Sequence, residues 1–140
     1  MTCTFFGHAS FSQPIFDKLE QALLALIDSG VSTFYVGNNG QFDYSVQYVL
    51  NKISQARSNF KYSIVLSRLN ESALSGVQSK TIFPEALEFS IPRFAINKRN
   101  NWMINNASMV VCFVTNKISN SYKWVEKARR KGLKIINIAE

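Results

Sequence analysis

Residue types on which many catalytic and metal sites depend are scarce in this 140-residue sequence. It contains one histidine, His8, and only two cysteines, Cys3 and Cys112, which are far apart in the chain. A structural zinc site needs a cluster of Cys or His ligands, so no metal centre is predicted. No Ser/His/Asp arrangement can be recognised either. Both cysteines fall in predicted buried strands, and we therefore expect two reduced core thiols and no disulfide.

Long apolar runs are also absent. No stretch approaches the ~20 apolar residues of a membrane-spanning helix, and the N-terminus lacks the basic and apolar regions of a secretory signal. We therefore expect a cytoplasmic protein without a membrane partner. The 46% content of hydrophobic residues is typical of a globular chain with one core. It predicts a single domain over residues 1–140.

Acidic residues are few. The sequence has 9 Asp and Glu against 16 Lys and Arg, which gives a formal net charge of +7. This excess favours an anionic partner, either a small phosphate compound or a nucleic acid. For the run Lys127 to Lys131, a solvated helix end that complements the helix dipole is the alternative interpretation. Between residues 93 and 134, one acid, Glu126, stands against ten basic residues: Arg93, Lys98, Arg99, Lys117, Lys123, Lys127, Arg129, Arg130, Lys131 and Lys134.

Short apolar runs alternate along the chain with segments of helical periodicity. The apolar runs predict five strands, at residues 3–6, 33–36, 61–66, 109–114 and 134–138. The periodic segments predict four helices: one opens near Pro14 and ends before Gly30, one follows Gly40, one extends from about Arg93 to Asn106 and one from about Ser121 to Lys131. The apolar face of the first helix would comprise Phe16, Leu19, Leu23, Leu26 and Ile27.

This alternation predicts an α/β fold: a single Rossmann-like, three-layer domain with a mainly parallel sheet of about five strands, in the order 3-2-1-4-5. In that order the winding reverses between the first and fourth strands, so the loops after these strands flank a ligand crevice. Residues 67–92 have no regular pattern. We interpret this long connection as a functional loop, as a lid over the site, or as a segment with short elements of its own.

Glycine-containing or polar loops follow the first, second and fourth strands. The first two are Gly7-His8-Ala9-Ser10 and Gly37-Asn38-Asn39-Gly40, and the third is Thr115 to Ser121. Glycine permits a close approach of the backbone to a ligand, and the helix N-termini that follow bind anions. A site for a phosphate-bearing, nucleotide-like ligand is predicted. Its candidate residues are Gly7, His8, Ser10, Gly37, Asn38, Gly40, Asp43, Arg93, Lys98, Arg99, Thr115, Ser119, Asn120 and Ser121.

Several of these residues also have structural interpretations, which stay open. His8 either contacts a ligand or orders its loop, and Asp43 either caps the next helix or binds a ribose. Asn38 suits a turn as well as a ligand contact. Arg99 either contacts the ligand or forms a surface salt bridge. No Gly-x-Gly-x-x-Gly follows the first strand and no P-loop lysine motif occurs, which disfavours NAD-dependent dehydrogenases and P-loop NTPases. No cofactor is predicted.

Three segments, Thr4 to His8, Tyr35 to Asp43 and Arg93 to Ile104, resemble a family of small bacterial proteins of unknown function. That family belongs to the SLOG superfamily, named for the Smf/DNA-processing protein A and Lonely Guy groups. The resemblance covers nearly the whole chain and implies a Rossmann-like fold that binds nucleotides or nucleotide-derived ligands. Relatives include cytokinin-activating phosphoribohydrolases, a DNA-processing protein that binds single strands, and sensors of nucleotide signals in phage defence. A bacterial or phage origin and a homodimer are expected from the resemblance alone.

The resemblance also implies residue roles. The glycines at 7, 37 and 40 and His8 would shape the pocket, and Arg99 would match the arginine of the superfamily's helix motif. Two positions depart from the pattern. Ala9 stands where small members commonly have arginine after Gly-His. Ser119-Asn120-Ser121-Tyr122 replaces the Pro-Gly-Gly-x-Gly-Thr-x-x-Glu of the phosphoribohydrolases, with Glu126 near the position of that motif's carboxylate.

The sequence therefore favours binding of a nucleotide or nucleotide-derived ligand, by a sensor or a ligand-sequestering protein. One alternative is a phosphoribohydrolase-like enzyme that cleaves an N-glycosidic bond, with Glu126 or Asp43 as the candidate catalytic residue. The other alternative is a single-stranded nucleic-acid binding protein. It would use the C-terminal basic face together with exposed aromatic residues, namely Trp102, Tyr122 or Trp124.

Overall fold

The computed structural model describes residues 1–68, 80–87 and 91–140. Within these ranges, a six-stranded, wholly parallel sheet has the order β4-β3-β2-β1-β5-β6. The strands are β1 (Thr2–Gly7), β2 (Thr33–Val36), β3 (Lys61–Val65), β4 (Lys80–Ile82), β5 (Met109–Phe113) and β6 (Lys134–Asn137). The α-helices are α1 (Phe16–Asp28), α2 (Gln41–Ser54), α3 (Pro92–Asn105) and α4 (Asn120–Arg130).

The predicted fold class is confirmed, and the five predicted strands have the predicted order. The number of strands is six, because β4 adds an edge strand next to β3. This strand is only three residues long, which is too short for an alternating pattern to reveal it. It lies in the stretch 67–92, as does a short 3-10 helix at Glu85–Leu87. Residues 69–79 and 88–90 of this stretch, which we interpreted as a functional loop, a lid or a segment with short elements, lie outside the described residues.

Alternating side chains of the strands build two cores, one on each face of the sheet. Phe5 and Val111 belong to the core that α1 and α2 cover, whereas Phe6 and Val110 belong to the core under α3 and α4. This alternation follows from the two-residue repeat of a strand, and it produces the three layers. No described helix is both long and apolar enough to span a membrane.

The individual core predictions hold with one exception. Cys3 and Cys112 are buried and unbridged, as predicted for core thiols. On α1, Leu19, Leu23, Leu26 and Ile27 are buried, but Phe16 is 50% exposed. Phe16 is the first residue of the helix, and its ring packs edge-on against Tyr48 of α2 with the ring centroids 5.6 Å apart. Its position in the periodic pattern did not indicate that it lies outside the core.

The parallel sheet brings the important loops together. All strands end at one edge, here named the carboxyl edge, and each α-helix begins there because it leads back to the start of the next strand. β1 lies between β2 and β5, so the loops after these three strands are neighbours. The backbone N–H of Gln41 donates to the carbonyl of Ala9 at 2.8 Å, which joins the loop after β1 to the start of α2.

Gly7 is required at the end of β1 by the packing of α2. A Cβ atom at this position would lie 2.3 Å from ring atoms of Phe42, which is fully buried. No real Cβ contact is that short, so either the ring or the strand would have to move. Glycine here serves close packing between the strand and the helix.

We expect Gly7→Ala to destabilise the protein by about 3 kcal/mol, at the upper end of the usual overpacking cost. Gly30→Ala is the matched control, because Gly30 has a positive φ of 107° but nothing within 4 Å of an added Cβ. Backbone strain alone should cost about 1 kcal/mol there. Denaturant unfolding of both variants measures the difference. Equal losses of unfolding free energy in the two variants would show that the Phe42 ring moves aside without a measurable penalty.

Candidate ligand-binding site

A cavity of about 940 Å³ opens at the carboxyl edge, between the end of β1 and the helices α3 and α4. Its volume lies in the range of small-molecule sites. Part of the predicted site lines it. The candidate residues in its wall are Gly7, His8, Asp43, Arg93, Arg99, Ser119, Asn120 and Ser121.

The other candidates lie outside the cavity wall. Ser10 and Lys98 are exposed on the surface. Gly40 begins α2 with a positive φ of 110°, where a Cβ would come within 2.8 Å of the Ala9 Cα. Thr115, Gly37 and Asn38 support residues of the wall, as described below.

His8 fastens the loop after β1 to the loop after β5. Its Nε2 accepts a hydrogen bond from the backbone N–H of Thr115 at 2.9 Å and lies 3.0 Å from the Thr115 hydroxyl. Since Nε2 is the acceptor, the neutral ring carries its proton on Nδ1. The Ser121 hydroxyl donates to the Gly7 carbonyl at 2.7 Å and ties the same loops together. His8 thus orders its loop and also stands in the cavity wall.

The N-terminus of α4 faces the cavity through Ser119, Asn120 and Ser121. Ser119 caps this helix, because its hydroxyl accepts the backbone N–H of Tyr122 at 3.1 Å. The N–H groups of a first helical turn have no partner within the helix, and they carry the positive end of the helix dipole. This part of the wall is therefore suited to an anion.

Arg99 is the buried cation of the site, with an exposed fraction of 3%. Its Nη1 donates to the Asn38 side-chain oxygen at 3.2 Å, and its Nε and Nη2 donate to the Asn100 side-chain oxygen at 3.2 and 3.0 Å. Asn38 is fixed in turn, since its carbonyl accepts the Tyr44 hydroxyl at 2.9 Å. These bonds hold the guanidinium plane at the cavity wall. Because Arg99 is buried, the alternative interpretation that it forms a surface salt bridge is wrong.

Asp43 is the buried carboxyl beside this cation, 8% exposed. Its Oδ2 accepts the backbone N–H of Asn39 at 3.0 Å, so the side chain closes the turn before α2 and also faces the cavity. Burial raises the pKa of Asp43 to about 6, although the Arg99 charge and the Asn39 hydrogen bond both act to lower it. The carboxyl therefore titrates near neutral pH.

Gly37 makes room for this charged pair. A Cβ at position 37 would lie 2.7 Å from Asp43 Oδ2 and 3.0 Å from Arg99 Nη1. Its carbonyl accepts a hydrogen bond of 2.8 Å from the side chain of Gln47, which is fully buried. The φ angle of Gly37 is not positive, so no left-handed conformation requires a glycine at this position. Its close approach is to Asp43 and Arg99, which the sequence did not indicate.

Basic residues from the C-terminal part of the chain also reach the cavity. Lys123, Lys127 and Arg130 on α4 line it, together with Trp124. Lys127 and Arg130 lie in the last turn of α4, as the interpretation of a solvated helix end expects, and they also line the cavity. The spacing 123, 127, 130 places these residues on one helical face, a signal that was present in the sequence. The spacing does not indicate whether that face points towards the cavity or towards solvent.

The residues proposed for the alternative functions are placed differently. Glu126 lies outside the cavity wall and contacts Arg129, so of the two candidate catalytic carboxyls only Asp43 faces the cavity. The three aromatic residues expected to be exposed are each half-buried. Trp102 packs edge-on against Tyr35 with the centroids 5.1 Å apart, and Trp124 stacks on Phe6 at 6.1 Å.

In the described part of the chain, no group of three or more His, Cys, Asp or Glu side chains could hold a metal ion. Comparison with protein-family models finds no match, and no curated protein has a significantly similar sequence.

The titration of Asp43 gives the stability of the protein a signed pH dependence. This carboxyl has a pKa near 4 in an unfolded chain and about 6 in the folded protein. Between these values the folded state binds more protons at Asp43, so the contribution of this carboxyl to stability is largest below about pH 4 and is lost as the pH rises through 6. Two pKa units correspond to a loss on the order of 2–3 kcal/mol.

We expect Asp43→Asn to flatten this pH dependence, because the amide does not titrate and its oxygen still accepts the Asn39 N–H. The measurement is the free energy of unfolding of both proteins from pH 4 to pH 7. The slopes are compared, since the absolute stability also changes when Arg99 loses a nearby carboxylate. Parallel curves would contradict a raised pKa for Asp43.

Proposed function

We propose that this chain binds a nucleotide or nucleotide-derived molecule in the cavity at the carboxyl edge, as a sensor or a ligand-sequestering protein of the SLOG type. The observation that carries the proposal is the buried Arg99 guanidinium, which two side-chain amides hold in the cavity wall. A guanidinium that is held in a cavity wall can bind a phosphate through charge-assisted hydrogen bonds.

Two further features support an anionic group at this position. The first turn of α4 presents its backbone N–H groups to the cavity, close to Gly7, whose carbonyl accepts the Ser121 hydroxyl. The ring of Phe6, which is buried, and that of Trp124, which is half-buried, form an apolar part of the same wall, suited to a base or sugar. Apolar surface with a few convergent polar groups is typical of small-molecule sites.

Hydrolysis of an N-glycosidic bond has less support. It needs a carboxylate positioned at the ribosyl carbon or at the departing base. Glu126 is outside the cavity, and the Asp43 carboxyl is engaged by the Asn39 N–H. Binding without turnover is therefore the function we favour.

Isothermal titration with 5′-AMP, 5′-GMP, 5′-CMP and 5′-UMP tests this proposal. We expect at least one of them to bind, and Arg99→Gln to weaken that binding about 10- to 100-fold, since a charged hydrogen bond contributes roughly 1.5–3 kcal/mol. Arg57→Gln is the matched control, because Arg57 pairs with Asp28 on the surface far from the cavity wall. The Arg57→Gln variant should bind the mononucleotide with unchanged affinity.

Arg99 is buried, so its variant needs a folding control. Arg93→Gln changes an exposed residue of the same wall and should weaken binding by a smaller factor. Circular dichroism establishes that each variant is folded. Binding of none of the four mononucleotides, or equal affinity in both cavity variants and the control, would contradict the proposed function.

A further inference from the structure

The cavity extends beyond the space around Arg99 into a groove between two helices. On α4, Lys123, Lys127 and Arg130 face it, and on α3 the residues Arg93 and Asn97 do so. Both sets follow the three- and four-residue spacing of one helical face. We name this extension the α3/α4 groove.

The two helices lie side by side and run in the same direction. Lys127 Nζ donates to the side-chain oxygen of Asn101, and Lys131 Nζ donates to that of Asn105 at 2.8 Å. Each contact joins residues 26 positions apart, as expected for parallel neighbours. Asn120 and Arg130 are separated by about 15 Å along α4, at 1.5 Å per residue. The basic residues are therefore spread along the groove.

The charges in the cavity wall are strongly unbalanced. Among the described residues, five basic side chains line it against a single carboxyl, Asp43. A phosphomonoester carries a charge of about −1.5 to −2 at neutral pH. One such group at the N-terminus of α4 would neutralise less than half of the five positive charges. The basic side chains of α4 would then still attract a further anion to the groove.

We infer that the ligand carries more than one phosphate: one at the N-terminus of α4 and at least one more over Lys127 and Arg130 in the α3/α4 groove. A linear dinucleotide with a 5′-phosphate has this chemistry, whereas the two phosphates of a nucleoside diphosphate share a bridging oxygen and lie too close together to reach both positions. Lys127 also lies over the Trp124 ring, with Nζ 5.3 Å from the centroid, so its charge is held at the groove wall. This inference rests on the proposed function, and it names the class of ligand.

A small ligand fits the observations better than a polymer. The cavity volume lies within the range of small-molecule sites. Trp102 and Trp124 pack against Tyr35 and Phe6, which limits their use as platforms for successive bases of a strand. A short single strand is therefore included in the experiment as a competing ligand.

The experiment compares the affinities of AMP, ADP, the dinucleotide pApA and a ten-nucleotide oligoadenylate at one ionic strength. We expect pApA to bind at least tenfold more tightly than AMP, and more tightly than ADP, whose adjacent phosphates cannot reach both positions. Lys127→Gln with Arg130→Gln should weaken the binding of pApA at least tenfold more than that of AMP. Arg129→Gln is the control, since Arg129 is the neighbour of Arg130 but lies outside the cavity wall. It should preserve the preference.

The outcomes separate the two proposals. Equal affinities for AMP, ADP and pApA would overturn this inference and leave the proposed function standing. The same conclusion would follow if the Lys127 and Arg130 variants kept the preference. Tighter binding of the oligoadenylate than of pApA would overturn the small-ligand class. No binding by any of the compounds would overturn both proposals.

Discussion

The burial of the Arg99 guanidinium is the interaction on which the carboxyl edge depends. A cation at 3% exposure must be hydrogen-bonded, and its partners come from different parts of the fold. Asn38 is supplied by the loop after β2, Asn100 by α3, and the nearby carboxyl of Asp43 by α2. These elements can meet only where Gly37 has no side chain. One buried charge thus fixes the relative positions of a loop and two helices.

The same arrangement creates the chemical character of the cavity. Neutral amides orient the guanidinium without cancelling its charge, and the Asp43 carboxyl is held near its point of titration by burial. The hydrogen bonds between His8 and Thr115 and between Ser121 and Gly7 close the other side of the site. They hold the N-terminus of α4 in the wall of the cavity that Arg99 also lines. Two sources of positive potential therefore face one space, and the α3/α4 groove prolongs it.

The fold and half of the site could be read from the sequence, because both depend on local patterns. Alternation of apolar runs with helical periods determines a parallel sheet, which brings the end of β1, with Gly7 and His8, and the start of α4, with Ser121, to one edge. Strand β4 was not predicted, because three residues are too few to show an alternating pattern. The direction in which a polar helix face points depends on packing between α3 and α4, so the sequence did not indicate that Lys127 lines the cavity. The role of Gly37 depends on contacts with residues distant in the chain, which spacing does not encode.

Mapping of a bound mononucleotide by NMR tests the central claim most directly, namely that the ligand lies between Arg99 and the N-terminus of α4. Each of the four 5′-mononucleotides is titrated into the ¹⁵N-labelled protein. The account predicts that the largest amide shifts occur at Gly7, Asn39, Asn120 and Ser121, together with the Arg99 Nε–H signal. Shifts centred instead on the exposed rings of Phe16 and Tyr48, or spread evenly over the basic surface, would contradict it.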